Sequence, residues 1–263
     1  MVDDEWGRRL ADRLGADHST TVSIQASSHA QVWVDELALT AEGSTFLLHG
    51  VGADPAPVVL PVLGEHNVAN AAVAAACCHR LGVDAAAIAA GLADVVLPVG
   101  RVQPVPTEPD EPRVFVDYAH TPQGVRSAVV AGRSVVVNDA KVIAVLGAGG
   151  DRDASKRADM GEAAAGADVV VVTSDNPRSE DPAKIAAEVA VGARRGEATV
   201  YEHPDRRNAI GIAIDLAEAG VLVMLLGKGH ERTLEQNGKK TPFNDFEVAQ
   251  AALEQRRSAH NRK

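Results

Sequence analysis

The stretch that decides the fold is KVIAVLGAGGDRD, residues 141–153. Its first part, Lys141–Leu146, is an apolar run without polar alternation, which is typical of a strand buried on both faces of a parallel sheet. Glycines and charged residues follow at once. In sheets covered by helices on both faces, functional sites lie beyond the carboxyl ends of the strands. The segment therefore predicts a doubly wound α/β sheet with a polar site at one edge.

The same alternation continues on both sides of this segment. Further strands are predicted at 114–116, 168–173, 198–201 and 221–226, and helices at 122–133, 155–165, 182–194 and 206–219. After a polar hairpin-like stretch, a last helix is predicted from near Asn244. Strands that alternate with helices in this way form right-handed crossovers. Residues 114–263 are therefore predicted to form one Rossmann-like domain.

The first part of the chain has a different pattern. Short strands with polar alternation are predicted at 21–24, 31–34 and 44–48, and helices at 68–81 and 84–92, with Asp84 as an N-cap. Prolines at 98, 104, 106, 109 and 112 then predict a linker. The predicted organisation is a first domain at 1–97, a linker at 98–113 and a second domain at 114–263.

Composition excludes several classes of protein. The chain has 263 residues, with 26 basic and 36 acidic ones and a net charge of −10, which argues against a nucleic-acid or anionic-membrane binder. No signal peptide and no apolar run of about 18 residues is found. The adjacent Cys77 and Cys78 match neither a disulfide framework nor a metal-site spacing. We expect a cytoplasmic protein without membrane insertion, a metal site or an obligate protein partner.

Polar clusters follow four of the predicted strands. They are Asp117–His120, Gly147–Asp153, Ser174–Arg178 and Gly227–Glu231. Because the carboxyl ends of parallel strands share one edge of the sheet, these clusters are expected to form one site.

Two pairs of charges in these clusters suit an amino acid. Guanidinium groups bind carboxylates through paired hydrogen bonds, which fits Arg152 and Arg178. The carboxylates of Asp175 and Glu231 suit an ammonium group. The alternative is that these four side chains form ion pairs with one another.

Other residues of the clusters have two interpretations each. The glycines of 147–152 either cradle a phosphate or permit a tight turn, and their spacing does not match a dinucleotide fingerprint. Asp117 either accepts a ribose hydroxyl or caps the next helix. His120 and His230 are acid–base candidates or structural histidines. Lys228 lacks the sequence context of a P-loop lysine.

Six motifs in order resemble the Mur ligases. They are GEHNVANAA (64–72), GR (100–101), DYAHTP (117–122), GGDRDASKR (149–157), DNPR (175–178) and GKGHE (227–231). The last two are similar to those of the MurE type, the UDP-N-acetylmuramoyl-L-alanyl-D-glutamate ligases. The arginine of DNPR resembles that of the form adding meso-diaminopimelate rather than L-lysine. The resemblance runs from about Asp3 to Val248.

The resemblance implies two sets of site residues and assigns no catalytic residue. The diaminopimelate pocket would contain Arg152, Asp175, Asn176, Pro177, Arg178, Gly227 and Glu231. For ATP, Asn67 and Asn70 would lie near the adenine, Arg101 near the phosphates and Asp117 at the ribose, with His120 as a neighbour.

The resemblance also implies a reaction. A MurE-type ligase phosphorylates the D-Glu side-chain carboxylate of the UDP-MurNAc-dipeptide with ATP and Mg²⁺, and the diaminopimelate amine then attacks the acyl phosphate. The P-loop, magnesium ligands and modified lysine of the central domain are not found in this sequence. The chain thus resembles the C-terminal half of such an enzyme, with 1–97 as the closing part of the ATPase domain. Alone it is expected to be inactive.

Three other functions remain open at this point. One is a different ligase of the same superfamily, similar to folylpolyglutamate or cyanophycin synthetases. Another is a non-catalytic remnant that binds an amino acid or a partner. A dehydrogenase-like dinucleotide domain is disfavoured by the glycine spacing.

Overall fold

The computed structural model describes residues 1–26, 29–40 and 42–260. The chain divides into two compact units, Met1–Val96 and Leu97–Lys263. The division falls close to residue 97, where the predicted first domain ends.

The first unit combines a four-stranded sheet with three helices. In chain order its elements are α1 (Glu5–Leu14), β1 (Val22–Ser23), β2 (Val32–Leu39), β3 (Ser44–His49), β4 (Ala56–Leu60), α2 (Glu65–Arg80) and α3 (Ala85–Ala93). The strand order is β1-β2-β3-β4, with β1 parallel to β2 and the other pairs antiparallel. Asp84 caps α3 as predicted, since its side chain accepts a hydrogen bond from the Ala87 amide.

Two elements of this unit depart from the prediction of three short strands in the first 60 residues. Helix α1 begins after Asp4, whose side chain accepts a hydrogen bond from the Gly7 amide and so caps the helix. Strand β4 contains Pro57, but it pairs only with β3. An edge strand tolerates a proline because it needs no second row of backbone donors.

The second unit is built around a six-stranded sheet and also contains a small hairpin, β11–β12, before its last helix. Its elements are β5 (Gln103–Val105), β6 (Arg113–Asp117), α4 (Pro122–Val135), β7 (Val142–Ala148), α5 (Lys156–Ala164), β8 (Val169–Ser174), α6 (Pro182–Ala193), β9 (Thr199–Glu202), α7 (Arg206–Leu216), β10 (Leu222–Leu226), β11 (Thr233–Gln236), β12 (Lys239–Pro242) and α8 (Asp245–His260). The predicted parallel α/β sheet is confirmed.

The order of the strands across the main sheet is β5-β6-β10-β7-β8-β9. The five strands from β6 to β9 are parallel, and β5 runs antiparallel at one edge. Strand β10, the last of the parallel strands in the chain, is therefore inserted between the first two, β6 and β7. This places the loop after β10 in the middle of the edge where the polar clusters lie.

Helices cover both faces of this sheet. On one face, Val223 and Leu225 of β10 pack in a core with Ile210 of α7 and Leu253 of α8. The alternate residues of β10 point to the opposite face, where a Cβ at Gly132 of α4 would lie 2.7 Å from the sulfur of Met224. Helices α4, α5 and α6 pack side by side. The sheet is doubly wound.

The predicted linker at 98–113 differs from the structure in one respect. Its residues Gln103–Val105 form β5, which pairs with β6. Pro104 is compatible with this strand because β5 lies at the sheet edge and pairs on one side only. The stretch thus belongs to the second unit's sheet rather than to a free connection.

No helix among the described residues combines the length and the apolar character that a bilayer span requires.

Two helical glycines give a matched test of the packing. A Cβ at Gly192 of α6 would lie 1.7 Å from the carbonyl oxygen of Ala158 in α5, whereas a Cβ at Gly211 of α7 meets nothing within 4 Å. We expect Gly192→Ala to lower the free energy of unfolding by about 1–3 kcal/mol through overpacking. Gly211→Ala should raise it by about 0.4–1 kcal/mol, because alanine loses less backbone entropy. Urea unfolding measures the free energy of unfolding of both variants. Changes of the same sign would contradict the close packing at Gly192 and the open space at Gly211.

Candidate functional site

A cleft of about 390 Å³ opens at the carboxyl ends of the central strands. Asp117, Leu226 and Leu146 share one register row across β6, β10 and β7, so the loops that follow these strands begin side by side. The cleft is lined by Tyr118, His120, Gly147, Ala148, Gly149, Arg152, Lys156, Met160, Asp175, Asn176, Arg178, Gly227 and Glu231. Every residue expected in the amino-acid pocket except Pro177 is in this lining.

Lys228 is the buried centre of this region. Its side chain is 0% exposed, and its Nζ donates to Asp175 Oδ1 at 3.3 Å, Asn176 Oδ1 at 3.2 Å and Glu231 Oε2 at 2.9 Å. An ammonium group has three donors, and these acceptors use all of them. The buried charge is therefore fully paired, and it holds two carboxylates next to each other.

The Glu231 carboxylate is kept ionised by these contacts. Burial raises the pKa of Glu231, but the hydrogen bonds from Lys228 and Asn176 outweigh it and hold the pKa below its ordinary value. The Asn176 amide contributes through its Nδ2, which donates to Glu231 Oε2 at 2.7 Å. At neutral pH the cleft thus contains a negative charge that can accept hydrogen bonds from a cation.

The side chains of two arginines flank Gly149. A Cβ at this glycine would lie 3.1 Å from Arg178 Nη1 and 3.7 Å from Arg152 Cγ. Arg178 Nη1 donates to the Gly150 carbonyl at 2.6 Å, and the Arg152 side chain is exposed.

The predicted alternative, ion pairs among the four charged pocket residues, is not what the described residues form. Asp175 and Glu231 pair with Lys228. Arg178 instead lies 3.8 Å from Glu235. The cleft therefore presents separate positive and negative groups, which together complement a ligand that carries both charges.

The loop that follows β7 is held by a buried arginine. Arg157 is 1% exposed, and its guanidinium donates to both Glu180 oxygens, to Glu188 and to the Gly149 carbonyl. Glu180 in turn accepts a hydrogen bond from the Asp151 amide at 2.6 Å. These contacts fix the backbone on which Arg152 stands.

A second buried arginine supports the strand ends. Arg206 at the start of α7 forms a two-point ion pair with Asp245 of α8, at 2.8 and 2.6 Å, and both side chains are 0% exposed. It also donates to the carbonyls of Ser174 and Leu226, the last residues of β8 and β10. The two loops that carry Asp175 and Lys228 therefore start from anchored positions.

Aromatic and basic side chains gather around Tyr118. The Arg101 guanidinium carbon lies 4.8 Å from the centre of the Tyr118 ring, and the rings of His120 and His230 lie 4.5 and 5.0 Å from it. Lys156 Nζ donates to the His120 carbonyl at 3.4 Å. This cluster offers cations and ring faces, which are the groups that phosphates and bases bind.

The structure excludes one of the two interpretations of Asp117. The cap of α4 is Thr121, whose side chain accepts a hydrogen bond from the Gly124 amide, so the capping interpretation is wrong. Asp117 is buried and accepts hydrogen bonds from the amides of Val102 and Ala119, both at 2.8 Å. It thereby joins the stretch after Gly100 to the end of β6.

The glycine-rich loop after β7 is explained by close backbone contacts. A Cβ at Gly147 would lie 2.7 Å from the Ser174 carbonyl carbon, and one at Gly150 would lie 1.9 Å from the Pro177 oxygen. The Gly150 and Asp151 amides already donate to protein acceptors. The glycines therefore permit a tight approach of two loops, and the phosphate-cradle interpretation is disfavoured.

The remaining predicted residues lie elsewhere. Asn67 and Asn70 are on α2 of the first unit, and Asn67 Nδ2 donates to the Leu63 carbonyl at 3.0 Å. Arg101 and Asp117 are not among the residues that line the cleft. Arg101 contacts Tyr118, which does line it. Pro177 contributes its carbonyl to the contact with Gly150.

Sequence reasoning missed four residues of the region. Tyr118, Lys156 and Met160 line the cleft, and Lys228, considered only as a phosphate lysine, organises its acids. For Tyr118 a signal existed, because it lies within the DYAH cluster. The burial of Lys228 depends on tertiary structure and leaves no local pattern.

In the part of the chain that the structure describes, no group of three or more His, Cys, Asp or Glu residues is arranged to hold a metal ion.

Two family models match the chain. The model "Mur ligase, glutamate ligase domain" matches residues 100–229, and "Mur ligase middle domain" matches residues 1–78. A UDP-N-acetylmuramyl-tripeptide synthetase of Leifsonia xyli subsp. xyli is 40% identical over 260 residues, covering 96% of this chain and 50% of the relative.

Two further similarities are of the same kind. A UDP-N-acetylmuramoyl-L-alanyl-D-glutamate–2,6-diaminopimelate ligase of Gloeobacter violaceus is 40% identical over 261 residues, covering 98% of this chain and 51% of the relative. A solved structure of a ligase with the same name has a TM-score of 0.65 and 33% identity, covering 95% of this chain and 50% of that one. The chain thus spans about half the length of the relatives it matches.

The Lys228 ammonium can be tested by replacement. We expect Lys228→Met to lower the free energy of unfolding by about 3–5 kcal/mol, because it leaves buried carboxylates without their counter-charge. Lys240→Met, at an exposed position of β12, is the control and should change it by less than about 0.5 kcal/mol. Urea unfolding that shows equal effects for both variants would contradict the central role of Lys228.

The contacts of Glu180 predict a pH dependence. The hydrogen bonds from Arg157 and the Asp151 amide lower the pKa of Glu180 from 4.5 to about 2. Its contribution to stability is therefore present above pH 4.5 and is lost as the pH falls towards 2. We expect the stability difference between wild type and Glu180→Gln to be constant near neutral pH and to shrink below pH 4.5. Urea unfolding between pH 7 and 3 measures it, and a difference independent of pH would refute the pairing.

Proposed function

The chain belongs to the Mur ligase family, and we propose that its second unit is the amino-acid-binding domain of a ligase that adds meso-diaminopimelate to UDP-N-acetylmuramoyl-L-alanyl-D-glutamate. This is a step in the synthesis of peptidoglycan precursors. The similarity to diaminopimelate ligases supports the reaction, and the charged cleft after β7, β8 and β10 supports the binding of the incoming amino acid there.

The observation that carries the proposal is the separation of charges in the cleft. Arg152 and Arg178 flank Gly149, while Asp175 and Glu231 are held by the buried Lys228. In a free α-amino acid, a carboxylate and an ammonium group share one carbon atom. We infer that the arginines bind the carboxylate at the distal end of diaminopimelate and that the two acids bind its ammonium group.

The same charges explain a preference for diaminopimelate over L-lysine. Lysine lacks the second carboxylate, so it would not form the charge-assisted hydrogen bonds with Arg152 and Arg178 that diaminopimelate forms. The loss of these contacts lowers the affinity for lysine relative to diaminopimelate.

The proposal assigns the nucleotide to the neighbouring cluster. Arg101, Tyr118 and His120 are suited to phosphate oxygens and to a ring or sugar, and Asp117 holds the backbone beside them. Asn67 and Asn70 lie in the first unit, and a role for them towards the adenine is proposed from the family resemblance alone. Bound ATP supplies the activation of the acceptor carboxylate, and the residues of the second unit orient the attacking amine.

Phosphoryl transfer needs a metal clamp and a phosphate-binding loop. The sequence contains no G-x-x-x-x-G-K-[ST] motif, and no metal-holding cluster is found among the described residues. The donors present in the described residues therefore do not form a site for Mg²⁺. We expect the 263-residue chain alone to bind the amino acid without ligase turnover.

This function requires ATP and a UDP-linked sugar in the same compartment, and we therefore propose a cytoplasmic location.

Titration with amino acids tests the proposal. In calorimetry or NMR with the purified chain, we expect meso-diaminopimelate to bind and L-lysine to bind at least tenfold more weakly, because a charge-assisted two-point contact contributes about 1.5–3 kcal/mol. Arg178→Ala should weaken diaminopimelate binding by a factor of about ten or more for the same reason.

The matched control is Arg194→Ala, which removes an exposed arginine that pairs with Glu202 at the far edge of the sheet. It should leave the affinity unchanged. Tighter binding of glutamate than of diaminopimelate would favour the folylpolyglutamate-type alternative, and a wild-type chain that binds neither would refute the proposed pocket.

A further inference from the structure

The hairpin β11–β12 holds the main chain of Arg178. The Arg178 amide donates to the Glu235 carbonyl at 3.0 Å, and the Asn237 amide donates to the Arg178 carbonyl at 2.6 Å. Arg178 has φ of +50°, so its backbone is in the left-handed region that non-glycine residues rarely adopt. The hairpin contacts oppose the strain at a residue that lines the cleft.

Glu235 contacts the cleft residues on both sides of Pro177. Its backbone amide donates to Asn176 Oδ1 at 2.9 Å, and its carbonyl accepts the hydrogen bond from the Arg178 amide. Its carboxylate lies 3.8 Å from Arg178 Nε. The backbone contacts need no particular side chain at position 235, whereas the third contact depends on the carboxylate.

The position of this carboxylate matters because of the shape of a guanidinium group. A carboxylate binds side-on through Nε and Nη2, or end-on through Nη1 and Nη2. In Arg178, Nη1 is engaged by the Gly150 carbonyl at 2.6 Å, and Nε faces Glu235. A ligand carboxylate that binds side-on therefore meets the Glu235 carboxylate at the same edge.

We propose that Glu235 is a specificity-determining residue of the cleft, acting as an internal counter-ion that the ligand carboxylate must displace from Arg178. The inference rests on the proposed function, since it concerns the same amino-acid site. Without a ligand, Glu235 neutralises one of the two guanidinium groups. A ligand that brings its own carboxylate replaces it at Arg178, whereas a ligand without that carboxylate leaves the pair of Arg178 and Glu235 in place.

Removal of this charge therefore affects two ligands differently. In Glu235→Gln the competitor is lost, and the affinity for meso-diaminopimelate should rise about two- to fivefold, the range expected for a partly exposed ion pair. L-Lysine carries no second carboxylate, so its affinity should not rise. A purely structural role of Glu235 would instead weaken both ligands together.

The experiment is calorimetric titration of the full 263-residue chain with meso-diaminopimelate and with L-lysine. The variants are Glu235→Gln and Glu235→Asp, the second of which keeps the charge but withdraws it by one carbon atom and should give an intermediate affinity. Glu202→Gln, which removes a carboxylate paired with Arg194 away from the cleft, is the matched control. The thermal unfolding midpoint of each variant reports whether the hairpin contacts are kept.

The outcomes separate the two proposals. A rise in diaminopimelate affinity without a rise for lysine supports the role of Glu235. If the wild-type chain binds diaminopimelate and both Glu235 variants bind it with the same or a lower affinity, that role is overturned and the proposed function stands. A wild-type chain that does not bind diaminopimelate overturns the proposed function, and the role of Glu235 with it.

Discussion

The buried ammonium of Lys228 is the constraint on which the site depends. A charge removed from water is stable only if it is paired and hydrogen-bonded, and Lys228 meets this condition with three acceptors. Its partners come from the loop after β8 and its own loop after β10, which are separated in the sheet by β7. The lysine thus requires two loops to converge above the strand between them.

That convergence explains glycines at the ends of both β7 and β10. A side chain at Gly147 would collide with the backbone after β8, and a Cβ at Gly227 would lie 3.3 Å from Asp175 Oδ2. The buried pair of Arg206 and Asp245 fixes the last carbonyls of β8 and β10 from the helix side. Chain packing, loop shape and charge pairing therefore define the same cleft.

Much of this could be predicted from the sequence, because the signals are local. Apolar runs marked β6, β7, β8 and β10, and the polar residues after them marked the edge on which a site forms. The insertion of β10 between β6 and β7 could not be predicted, because the order of parallel strands is set by packing across the whole sheet. Helix α1 is absent from the prediction although Trp6, Leu10 and Leu14 recur at helical spacing, because the first 60 residues are interpreted as strands. Strand β5 is absent because its proline suggested a linker.

Prediction from the sequence was least successful for residues whose role depends on their burial in the folded chain. The sequence shows that Lys228 lies between two glycines. Its pairing with Asp175 leaves no local pattern, because the two residues are 53 positions apart in the chain. Glu235 likewise reaches Arg178 only because the hairpin folds back on the loop after β8. By contrast, Arg152 and Arg178 were expected together, since β7 and β8 are adjacent both in the chain and in the sheet.

The most direct test of the account is a crystal structure of this chain grown with meso-diaminopimelate. The account predicts the ligand in the cleft after β7, β8 and β10, with one carboxylate hydrogen-bonded to Arg178 and the ammonium group on the same carbon facing Glu231 and Asp175. A ligand bound elsewhere on the second unit, or one bound with a carboxylate against Glu231, would contradict it.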